Sequence, residues 1–192
     1  MQYPNALEFC LKHFESDPGR FYGPAAKLPL GAGVLVRDCV IAMPDLEETR
    51  FQTGVGLALV LTHECDIDQH NERFFNDLLL VCPIIQLDHF CAECEEDAGT
   101  GAWGGILPAI ARDDVFRAMY LPPPPSQWSC PEMEGGGIIY LNHISPCRVQ
   151  WLSDLGQHAI CSLSARGLYS FDIKLKNHLF REKATDLLWF GR

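Results

Sequence analysis

At 192 residues the chain has room for one substantial core, and two full domains would be cramped. With 47% apolar and 21% charged residues, it is neither a disordered nor a fibrous protein. A formal charge of −10 disfavours gripping nucleic-acid backbone as a main task, because phosphate binding rests on Lys and Arg displacing counterions.

Asn5 followed by Glu8 has the form of a capping box, and Leu7, Leu11 and Phe14 recur at helical spacing, which predicts a short amphipathic helix over 5–15. Asp17-Pro18-Gly19 stops it, and the Pro- and Gly-rich residues 18–31 read as a loop. Gly33 to Met43, GVLVRDCVIAM, is rich in β-branched residues and reads as a strand ended by Pro44. The acidic stretch 45–48 then leads to VGLALVLTHECDID, Val55 to Asp68. Its apolar run has a period of neither 2 nor 3.6, and its shortness and flanking glycines favour a strand buried on both faces.

Asp77 to Leu87, DLLLVCPIIQL, is a further strand, and Pro83 predicts an edge or a bulge because proline removes a ladder donor. Asp88 is placed to cap a helix holding His89, Cys91 and Cys94. Gly99, Gly101, Gly104 and Gly105 mark a hinge before a second helical piece over 106–112. Val115 to Leu121 reads as a strand, ended by four prolines that impose an extended conformation. Gly135-Gly136-Gly137 releases the chain into GIIYLNHI, and His158 to Leu163 offers one more strand. Ser164 is a candidate N-cap for a last helix striped by Leu168, Phe171, Leu175 and Leu179, and Leu187 to Phe190 form an apolar tail.

The expected architecture is α+β and mainly β: a small, strongly curled SH3-like barrel with a helical insertion and helices at both ends. The expected organisation is one domain over 1–192. It comprises an N-terminal helix and arm over 1–32, a barrel over 33–163 with an insertion at about 88–114, and a C-terminal helix and tail over 164–192.

Nine cysteines without framework spacing, and no signal-peptide pattern at Met1, place the chain in a reducing cytoplasm. Its apolar runs fall well short of the ~20 residues of a membrane helix. The tail residues Lys174, Lys176, Arg181 and Lys183 are the one local basic cluster, and a solvated helix face explains them.

Three stretches resemble the toxin family MazF/PemK, whose members are small curled barrels that dimerise and cut RNA. GVGLALVLTHECD is similar to the family strand R-P-x-L-V-L-S, VCPIIQL to its V-x-P-I-T segment, and GIIYLNHISPCRV to the later strand that leads to the dimer edge. The resemblance covers roughly 33–155 and implies a barrel fold and a homodimer. The chemistry differs. Val55 and Gly56 stand where the family has Arg-Pro, and Ile85 stands where it has Thr or Ser, so the electrostatic stabilisation of a cleaved phosphate is missing. The resemblance therefore implies a barrel that binds or regulates, with a protein partner, in a toxin–antitoxin or phage-defence setting. A divergent ribonuclease is its alternative. The strand ending Thr62-His63-Glu64-Cys65-Asp66-Ile67 is also similar to a Thr/Ser-x-x-Cys-Asp-Ile/Leu motif of uncharacterised bacterial and phage proteins.

The same ending supplies the candidate chemistry. In an extended chain, His63 and Cys65 share one face while Glu64 and Asp66 share the other. An imidazole beside a thiol makes thiolate available for nucleophilic catalysis, and Asp66 can orient the base only if the chain turns after Cys65. Alternatively, Cys91-x-x-Cys94 has the spacing of half a zinc site, which His63 and Cys65 would complete, with Cys130, Cys147 and His143 as further donors. The plain alternative is a buried Cys65 that packs as a small hydrophobe beside a turn-capping Asp66.

Overall fold

A computed structural model describes residues 2–14, 17–24, 31–45, 50–63, 66, 78–112, 114–128, 130–148, 150 and 155–180. Helix α1 spans Pro4–His13, a short α2 spans Pro18–Phe21, and β1 is Tyr22–Gly23. Strands β2 (Val34–Asp45), β3 (Arg50–Val60) and β4 (Leu78–Gln86) follow, then helices α3 (Leu87–Ala98) and α4 (Trp103–Ala111). Next come β5 (Ala118–Leu121), β6 (Gly137–Tyr140), β7 (Ser145–Arg148), the short α5 (Leu155–His158), β8 (Ala159–Leu163) and α6 (Ala165–Phe180).

The strands form one eight-stranded antiparallel sheet in the order β1-β8-β2-β3-β4-β6-β5, with β7 also paired to β4. The fold is α+β, and its curled, barrel-like sheet is not closed. Among the described residues β7 packs against β2 without a ladder, and Ala42 N–H donates to Ser145 Oγ across the seam at 3.1 Å.

Both faces of the central strands are buried, as the unbroken apolar run of β3 predicts. Leu35, Leu57, Leu59, Cys82 and Ile84 pack on one face with Cys161, Leu163 and Phe171 from β8 and α6. Val34, Val36, Ala58, Val60, Leu79 and Val81 fill the other face, inside the curl, together with Cys39 and Cys147. A third apolar cluster joins α1, α3 and α4 to β5 and β6. Burying a Leu or Val side chain at each of these positions contributes roughly 1.5–3 kcal/mol, so the sheet is stabilised from both sides.

Several local expectations are corrected. Tyr3, not Asn5, is the N-cap of α1 and makes no side-chain cap; Pro4 starts the helix, where a missing N–H costs nothing. Pro44 lies within the end of β2, paired with Phe51, rather than terminating it. Pro83 sits in a central strand. Along one side of β4, residues 78–81 pair with β7 and 84–86 with β6, so Pro83 falls between two ladders, where a missing donor interrupts least. Asp88 does not cap α3; its carboxylate accepts from the backbone N–H groups of Gln2 and Tyr3 and ties the N-terminus down. Gly104 and Gly105 lie inside α4, and positive φ is confined in this stretch to Gly99 and Gly101. Strand β7 comes from SPCR, which the resemblance joins to GIIYLNHI in one strand and which instead forms a separate strand paired with β4. Ser164 does cap α6, accepting from Gly167 N–H at 3.1 Å.

Candidate cleft between the helical insertion and the sheet

Because α3 starts where β4 ends, the helix is held over the β5–β6 end of the sheet. The β6 backbone approaches β4 closely there: a Cβ on Gly137 would meet Ile84 Cγ2 at 2.5 Å, so a residue without a side chain is needed. Glu95 then fixes the turn to α4, accepting from Gly101 N–H at 2.8 Å and from the Tyr3 hydroxyl at 3.0 Å.

Between these elements lies a cleft of about 490 Å³, within the range of ligand-sized sites. Its floor is apolar, built from Ile85, Phe90, Ile106, Ile110 and Ala118. Its walls differ in charge. Glu93 and Asp97 of α3 stand on one side, and Arg117, Tyr140 and His143 on the other. The Arg117 guanidinium lies 5.7 Å from the centre of the Tyr140 ring, whose other neighbour is His143 at 5.2 Å between ring centres. These contacts pre-orient the basic wall.

Loss of solvent raises the Glu93 carboxyl above its ordinary range, with Asp97 and Glu96 acting in the same direction and His89 and His143 opposing it. Burial also raises the Cys94 thiol, with Glu93, Asp97 and Glu95 adding to the effect. A thiol held protonated is a poor nucleophile.

Of the residues expected to form a site, His63 and Asp66 lie in one turn, and Cys91 and Cys94 lie in the cluster beneath α3. β3 ends at Val60, so strand alternation does not govern His63 and Asp66. Both are exposed, and Asp66 N–H donates to the His63 carbonyl at 2.9 Å. Cys65 lies outside the described residues. Cys91 and Cys94 are buried in the cluster beneath α3, and burial pushes the Cys91 thiol up to about 12. Among the described residues no three His, Cys, Asp or Glu side chains are grouped to hold a metal.

Glu93, Asp97, Arg117 and Tyr140 were not legible as a site. The acidic helix and the β5–β6 hairpin meet only through tertiary packing, and the sole sequence signals were the acidic residues around Cys94 and the candidate donor His143. No protein-family model matches this chain, and neither curated proteins nor solved structures give a match.

Proposed function

We propose that the chain acts by binding, as a regulatory protein on a MazF/PemK-like frame, and that the cleft between α3, α4 and the β5–β6 end of the sheet seats a protein partner. The observation that carries this reading is the position of Ile85. It stands where the resembling family has Thr or Ser, and here it lines the apolar floor of the cleft. An apolar centre with a charged rim is the anatomy of a protein interface. Phe116, which precedes Arg117 in sequence, is 48% exposed. The overall charge of −10 favours a protein over nucleic acid as the partner.

A second reading is an enzyme centred on His63, Cys65 and Asp66, supported by the exposed turn joining His63 to Asp66. Its zinc-dependent version would recruit Cys91 and Cys94 from the cluster beneath α3, with zinc binding releasing the thiol protons.

Two variants separate the readings in cells that show a phenotype on loss of the protein. Ala109→Trp fills the cleft and is expected to reproduce that phenotype while leaving the melting temperature within a few degrees of the parent. Cys65→Ala is expected to behave as the parent. The reverse pattern would move the function to the His63–Asp66 turn.

A further inference from the structure

Inside the curl of the sheet, on the face away from α6, two thiols meet. Cys39 of β2 and Cys147 of β7 are buried, and the Cys39 S–H donates to the Cys147 sulfur with the sulfurs 3.7 Å apart. Their surroundings, including Val36, Ile41, Val60, Leu79 and Val81, are apolar. Isolated buried cysteines pack as small hydrophobes. These two instead touch each other across the one junction where the curled sheet lacks a ladder among the described residues.

The backbone at this junction is irregular. β2 slips register between Val36 and Cys39, and Asp38 takes a positive φ of 54°. Its pairing with β8 ends at Val36. From Cys39 onward β2 is held on one side by β3 and on the other by side-chain packing and the Ala42–Ser145 hydrogen bond. A seam without ladder hydrogen bonds opens locally at less cost than a paired edge. Local opening of this kind is the route by which a small oxidant would reach two thiols that are otherwise buried.

We propose that Cys39 and Cys147 are a dithiol oxidation site, which a small hydroperoxide converts to a disulfide that covalently closes the β2–β7 seam. The Cys147 thiolate attacks one peroxide oxygen; the O–O bond breaks, hydroxide leaves and takes up a proton as water, and Cys147 becomes a sulfenic acid. The Cys39 sulfur then attacks the Cys147 sulfur, forming S–S and expelling the sulfenic oxygen as a second water. In total the two thiols lose two electrons and two protons, and one hydrogen peroxide is reduced to two waters. The Cys39 S–H bond lowers the Cys147 pKa, against burial, which makes Cys147 the attacking group. The same bond, together with burial, raises Cys39 and makes it the resolving thiol. Bond formation brings the sulfurs roughly 1.6 Å closer, to about 2.05 Å.

The test uses the full chain, reduced, freed of reductant and treated with hydrogen peroxide under native conditions. The protein is then alkylated in denaturant and mapped without reduction. The expected result is one linked species joining the Cys39 and Cys147 peptides and a melting temperature higher by on the order of 10 °C, because the closed loop spans 108 residues. Dithiothreitol reverses both. Cys147→Ser is expected to lose the link and the shift, and Cys161→Ser to keep both. If Cys147→Ser does not fold, the parent chain alone decides: alkylation of both thiols after peroxide, or a link from either residue to another cysteine, would overturn the proposal.

Discussion

Glu93 shows how the cleft acts on a single side chain. Its carboxyl is raised first by loss of solvent on the cleft wall, and the nearby His89 and His143 only partly offset this. A carboxyl whose folded-state pKa exceeds its unfolded value binds more protons when folded. Its contribution is therefore most favourable below the ordinary carboxylate range, and stability falls as pH rises through that range to the folded-state pKa. Glu93→Gln removes the titration. The variant is expected to melt above the parent at neutral pH, with the difference vanishing toward about pH 4, in thermal melts recorded across that range. A difference that is constant with pH would mean that Glu93 keeps its solvent.

Side chains of this kind are the least legible in the sequence. Cys94 lies on the helix that the sequence predicts, and the structure adds its neighbours, which C-x-x-C spacing alone does not name: Ala6, Cys10, Leu107 and Ile110. His63 was read from strand alternation, which fails because β3 stops at Val60.

Helix α6 illustrates what the elements themselves make legible. Ser164 was expected as its cap, and the hydroxyl takes Gly167 N–H while donating to the Arg20 carbonyl. The stripe Leu168, Phe171 and Leu175 packs on the sheet, but Leu179, at the same spacing, is 56% exposed because the helix runs past its support. Periodicity names a face but not the length over which something covers it. Phe171→Ala is therefore expected to cost about 3–5 kcal/mol, and Leu179→Ala to stay within about 0.5 kcal/mol, in urea unfolding with unchanged slope. Equal costs would place Leu179 against a surface of its own. Pro83 failed for a related reason: proline marks a missing donor, and only the change of partner from β7 to β6 shows why a central strand tolerates one. The break between β6 and β7 was not legible, because SPCR is set apart as a strand by its pairing with β4 rather than by its own pattern.

For the whole molecule, the α+β class and the doubly buried central strand were readable because they follow from apolar runs and punctuation by Gly and Pro. No helix among the described residues is long and apolar enough to cross a membrane. The cleft was not readable, since it exists only once α3 and α4 fold over β5 and β6. The central claim is that this cleft receives a protein partner, and it is tested most directly by placing a photo-crosslinking phenylalanine analogue at Ile106 in the full chain and irradiating living cells. The account predicts discrete adducts that map to one segment of one partner and disappear when Ala109→Trp is added. Adducts scattered over unrelated proteins, or unaffected by Ala109→Trp, would contradict it.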